Sequence, residues 1–110
     1  MRELLIQRCD RCGIALFPDR LRCPRCGASG FTRVAAGSGV VEEQTTLPSA
    51  GAGDEREVRL GSVRLLAGPV VVARLDERDT TGAVVHLMVD SGGAIRGSRT
   101  EAGAAPAPGQ

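Results

Sequence analysis

The chain has no Trp, no Tyr and no Lys, a single His, and only two Phe, Phe17 and Phe31. With Val, Leu and Ala supplying most of the apolar content, bulky core anchors are scarce. A 110-residue chain of that kind buries a modest share of its surface and often needs a staple such as a metal or a partner. Single-strand nucleic-acid binders stack bases on aromatic rings above a positive groove, and no aromatic follows Phe31. With His86 as the sole histidine, any Ser–His–Asp set would have to use it, and the neighbouring Asp90 and Ser91 read as turn residues. No apolar run approaches the roughly 20 residues of a membrane span. Only Leu4–Ile6 precede the first polar stretch, too short for the apolar part of a secretory signal. The expectation is a cytoplasmic protein with no membrane contact. All basic side chains being Arg, beside abundant Gly and Ala, reads as a GC-rich coding bias rather than a functional feature.

All four cysteines fall within CDRCGIALFPDRLRCPRCG, Cys9 to Gly27. They form two Cys-x-x-Cys pairs separated by ten residues. In the cytoplasm such pairs are metal ligands more often than disulfides. A Cys-x-x-Cys turn aims two sulfurs at one point, and the following glycine, Gly13 or Gly27, lets the chain turn while backbone amides face the sulfurs. Zinc takes four thiolates tetrahedrally. The spacer GIALFPDRLR has room for a strand out, a turn near Pro18–Asp19 and a strand back. The expectation is a zinc ribbon holding one structural zinc on Cys9, Cys12, Cys23 and Cys26. A thioredoxin-like redox pair would want a βαβ context, which is missing. A single iron in four thiolates uses the same repeated motif, but with pairs farther apart and an aromatic core.

Three regions are expected: a ribbon at 1–33, an OB-fold-like β-barrel at 34–96, and a disordered tail at 97–110 rich in Ala, Pro and Gly. The fold class is mainly β, a rubredoxin-like zinc ribbon followed by a small barrel. Gly39–Leu47 reads as a strand, Pro48–Asp54 as a loop, and Glu57–Leu66 as a strand. In Glu57–Leu66, Val58 and Leu60 are out of phase with Val63 and Leu65, which predicts an extra, bulged residue at Gly61–Ser62. Pro69–Leu75 looks the most buried, Asp76–Gly82 is a charged turn, and Ala83–Val89 places Val85, Leu87 and Val89 on one face. A short last strand is expected at Ala94–Arg96. Such strands, with a bulge, suit a small closed or partly closed barrel.

Charge is uneven. Residues 1–33 carry seven Arg against Glu3, Asp10 and Asp19, a balance of +4, and the rest carries seven Arg against ten acids, −3. Four thiolates on one divalent ion would lower the ribbon to about +2, so part of the basic patch is a counter-charge. Asp76, Glu77 and Asp79 lack the regular spacing of a hard-metal loop and read as a solvated turn. His86 reads as a structural residue on the face opposite Val85 and Leu87. Arg59 and Arg64 read first as solvated strand charges, with phosphate contact as the sharper alternative.

One order of features resembles a known family. Cys9, Cys12 and Gly13, then Phe17, Pro18 and Arg20, then Cys23, Pro24, Cys26 and Gly27, lead to Gly37-Ser38-Gly39-Val40 and Thr45-Thr46. This resembles the zinc-ribbon plus OB-fold acyl-CoA-associated proteins, long catalogued as a domain of unknown function. The likeness spans roughly residues 6–90. Asp19 stands where the family usually has a second Pro, and eight residues precede Cys9 in place of a longer helical segment. The resemblance implies a non-catalytic accessory subunit that binds or positions acyl-CoA for a thiolase-fold enzyme of thiolase, acyltransferase or retro-aldolase type, or for a hydratase-type enzyme. No catalytic residue is expected in this chain, and the acyl-CoA contacts are not identifiable from sequence. The alternative is a zinc-ribbon nucleic-acid-binding module, disfavoured by the missing aromatics and the negative barrel region.

Overall fold

The computed structural model describes residues 1–48, 57–76 and 79–99. Residues 49–54 of the expected loop, Glu77 and Arg78 of the charged turn, and residues 100–110 of the tail expected at 97–110 lie outside these residues. Gly97 and Ser98, expected in that tail, belong instead to the last strand, because their backbone pairs with Leu87 and His86. Among the described residues there is no helix, and none long and apolar enough to cross a membrane. The strands are β1 (Arg2–Glu3), β2 (Leu5–Cys9), β3 (Ala15–Leu16), β4 (Phe31–Ala35), β5 (Ser38–Pro48), β6 (Glu57–Leu65), β7 (Val70–Leu75), β8 (Val84–Val89) and β9 (Ile95–Ser98).

They form two sheets. The ribbon sheet has the order β3-β2-β4. The other sheet closes on itself, running β8, β5, β6, β7, β9 and back to β8, with β1 added beside β8. Its neighbours are antiparallel except β7 and β9, which are parallel. This is the expected mainly β chain, a ribbon followed by a five-stranded OB-type barrel. Closure rests on the last strand. β9 pairs with β8 from Ile95 opposite Val89 to Ser98 opposite His86, and meets β7 at Arg96 opposite Arg74.

Strand alternation decides what is buried. In β7, Val71, Ala73 and Leu75 point inward while Val70, Val72 and Arg74 are exposed, so this strand is half-buried rather than the most buried. Val85 and Leu87 of β8 are fully enclosed and Val89 packs beside them. The bulge is present but on the other strand. β6 pairs with β7 without a break, whereas in β5 Val41 faces Val63 and Glu43 faces Ser62, leaving Glu42 as the extra residue. The sequence phase break has a different cause. Val58 and Leu60 lie on the outer face, Val63 and Leu65 on the inner, and Gly61 takes the inner position between them. There a Cβ would collide with Leu75 and sit 2.9 Å from the Glu43 carbonyl oxygen.

Ribbon and barrel share one core. Leu4 and Ile6 bury against the cluster containing Val63, Val71, Val85 and Leu87, with Phe17 and Val34 packed at its margin. The Leu4 amide donates to the Leu87 carbonyl at 3.4 Å, and the Leu4 carbonyl accepts from the Ala36 amide at 2.7 Å. The chain therefore crosses from barrel to ribbon at Leu4, between β1 and β2.

Candidate metal centre and barrel surface

Two matching turns build the metal centre. In the first, the Gly13 amide donates to the Cys9 carbonyl at 2.9 Å and the Cys9 amide to Ile14 at 2.9 Å. In the second, Gly27 donates to Cys23 at 2.8 Å and Cys23 to Ala28 at 2.7 Å. Both glycines adopt positive φ, 83° and 80°, a conformation that a side chain disfavours. The first turn joins β2 to β3, with β4 paired on the other side of β2, and the Gln7 side chain fixes the spacer. Its Oε1 accepts from the Arg20 amide at 2.7 Å and its Nε2 donates to the Arg20 carbonyl at 3.0 Å.

The four sulfurs lie within 4.8 Å of one another. Cys9 and Cys26 approach to 3.5 Å and Cys12 and Cys23 to 3.6 Å. Zinc–sulfur bonds of about 2.3 Å in a tetrahedron set sulfurs about 3.8 Å apart, so the donor set fits one zinc with no open position. The amides of Arg11 and Cys12 reach Cys9 Sγ at 3.4 and 3.5 Å. The Cys12 amide foremost holds the Cys9 thiol down to about 6, against the opposing effect of burial. At Cys23 burial also opposes the charge, but the amides of Cys26 and Arg25 outweigh it and the thiol is lowered. Cys26 is pushed up to about 11: the Ala28 amide works the other way, and burial and the three neighbouring thiols overcome it. Each thiolate added to so close a set repels the others. A divalent ion relieves that repulsion.

The remaining singled-out residues do not converge. Arg59 and Arg64, five apart on β6, lie on opposite faces. Arg59 donates to Gln44 Oε1 at 3.1 Å and Arg64 pairs with Glu42 at 2.7 Å. They form no joint anion cradle. His86 sits outside the barrel, with Nε2 within 2.9 Å of both Glu3 carboxylate oxygens, tying β1 to β8. Asp79 is buried and accepts from the Asp76 amide at 3.1 Å, a loop contact. Asp90 caps the β8–β9 turn: one oxygen accepts from the Gly92 and Ala94 amides and the other from Arg96 at 2.6 Å. Sequence reasoning missed this Asp–Arg clamp. It also missed a shallow groove of about 240 Å³ on the outer face of β5, β6 and β7, lined by Glu43, Thr45, Leu60, Ser62 and Val72 over the backbone of Gln44 and Gly61. The off-phase Val58 and Leu60 were the available signal.

Comparison with known proteins agrees with this picture. Residues 2–32 match the family model described as ChsH2, rubredoxin-like zinc ribbon domain. Among solved structures, one titled Ltp2-ChsH2(DUF35) aldolase superposes with a TM-score of 0.69 at 24% identity, covering 87% of this chain and 82% of that one. A Sulfolobus solfataricus protein of the DUF35 family, described as of unknown function, gives 0.62 at 14% identity, covering 89% and 76%. A search of curated proteins returned no match. The ribbon is thus of the ChsH2 type, and the ribbon-plus-barrel fold is that of DUF35 proteins.

Proposed function

We propose that this chain is a non-catalytic accessory subunit that binds or positions acyl-CoA for a thiolase-fold partner enzyme. The observation that carries the reading is the pairing of a ChsH2-type ribbon with the barrel fold of a chain whose structure is titled as an aldolase with Ltp2. The donor set points the same way. Cys9, Cys12, Cys23 and Cys26 would hold one zinc with all four positions filled, which gives a scaffold and leaves no site for an activated water. The ribbon then supplies surface charge. Arg8, Arg11, Arg20 and Arg25 are exposed, and their guanidinium groups make no ion pair among the described residues. They suit the phosphates of coenzyme A as planar, multiply donating cations. The β6 arginines suit that role less well, because they face opposite ways.

The test is co-expression with a thiolase-fold enzyme from the same genome, followed by co-purification and assay. The expected result is a stable complex, acyl-CoA turnover that requires both chains, and none from this chain alone. A chain that ignores the enzyme and instead shifts single-stranded RNA with a steep salt dependence would overturn the reading in favour of nucleic-acid binding.

A further inference from the structure

The outer face of β5, β6 and β7 carries a run of apolar side chains among the polar ones, Glu43, Thr45, Ser62, Arg64 and Arg74, that a solvated barrel wall is expected to show. The register brings Leu47 opposite Val58, sets Leu60 beside Thr45, and places Val70 and Val72 on the adjoining strand. Val72 is 60% exposed, Leu47 46% and Val70 40%. Single exposed aliphatic side chains are ordinary, but a contiguous set across three strands marks a surface that something covers. Strands about 4.8 Å apart and eight residues of about 3.3 Å each give this face roughly 15 by 25 Å. That is the size of an interface centre, within the about 800 Å² per side of a standard complex.

The groove at its middle, about 240 Å³, falls below the about 300–1,000 Å³ of small-molecule sites, which favours one inserted side chain over a ligand. The rim charges are also informative. Glu42 and Arg64 neutralise each other, whereas Glu43 on the groove and Arg74 beyond Leu60 have no partner among the described residues. A second copy turned about a two-fold axis could set Glu43 against Arg74, but it would lay groove against groove and leave the depression empty. Unfilled space of that kind forfeits packing contacts. A different surface with a projecting apolar side chain avoids this.

We propose that this face is where the partner enzyme docks, seating one large apolar side chain over Leu60 and Gly61 and a cationic side chain against Glu43. The assignment rests on the accessory-subunit reading above. The test measures the affinity of the purified thiolase-fold enzyme for the wild-type chain, Val72→Glu and Glu43→Arg, with zinc content and melting temperature as controls for folding. Val72 is exposed enough that its variant should fold. The expected result is a loss of affinity of about tenfold or more for each variant, with zinc and melting temperature unchanged. Wild-type binding retained by both variants overturns this face and leaves the accessory reading standing. An enzyme that does not bind the wild-type chain overturns both. A self-associating chain that Val72→Glu converts to monomer, without effect on enzyme binding, assigns the face to a second copy and overturns the proposal.

Discussion

At the scale of single residues, a few polar groups carry more than their share. Cys23 is buried and supplies one of four converging sulfurs. Metal binding at such a site is folding energy, on the order of 10 kcal/mol or more in zinc-finger peptides. Protein purified without added metal should contain near-equimolar zinc by elemental analysis, and Cys23→Ser should lose the zinc and unfold the ribbon. Iron in its place, or a disulfide found by mass spectrometry, would contradict this. Gln7 acts without a metal. Its amide closes both hydrogen bonds on the Arg20 backbone, so Gln7→Leu should destabilise the ribbon by about 1 kcal/mol. The check is denaturant unfolding of the zinc-loaded protein.

At the scale of elements, the barrel wall depends on how closely strands approach. At Gly61 the inner space belongs to Leu75 and to the β5 backbone. Gly61→Val should cost about 1–3 kcal/mol as overpacking, visible as a melting temperature lower by at least about 4 °C. The β8–β9 turn carries a pH signature. The hydrogen bond from Arg96, with the Ala94 and Gly92 amides, lowers the Asp90 carboxyl from 3.8 to about 2. A carboxyl lowered on folding stabilises fully above its unfolded value and loses that contribution as pH falls through the folded one. Stability from this clamp should therefore be constant above about pH 5 and fall between about pH 4 and 2. Asp90→Asn should lower the melting temperature at neutral pH and flatten the acid limb in that window, measured by thermal melts across pH. An unchanged acid limb would place the effect elsewhere.

At the scale of the whole molecule, ribbon and barrel are one unit. β1 pairs with β8, the Glu3–His86 contact reinforces that pairing, and Leu4 and Ile6 bury in the barrel's core. Stripping zinc should therefore weaken the barrel as well as the ribbon. Calorimetry should show a single transition in the zinc-loaded protein and a lower one after chelation. Two independent transitions, with the barrel's unmoved by chelation, would show that the shared core does not couple them.

The sequence by itself determined what local chemistry dictates. Four cysteines with two trailing glycines specify a metal knuckle because ligand geometry and turn conformation are both short-range. Alternation in β7 and β8 specifies strands for the same reason. Only the tertiary structure decided the rest. Which strand carries the bulge depends on the pairing of Val41, Glu42 and Glu43 with β6, since an extra residue exists only relative to a partner strand. The phase break at Gly61 could be read as an insertion until Leu75, a strand away, was seen to fill the place of its missing side chain. Closure of the barrel by β9, the Asp90–Arg96 clamp and the separation of Arg59 from Arg64 likewise follow from strand order and facing. The apolar run on the outer face is the clearest case: Leu47, Val58, Leu60 and Val72 are ordinary one by one, and become a surface only when three strands come into register.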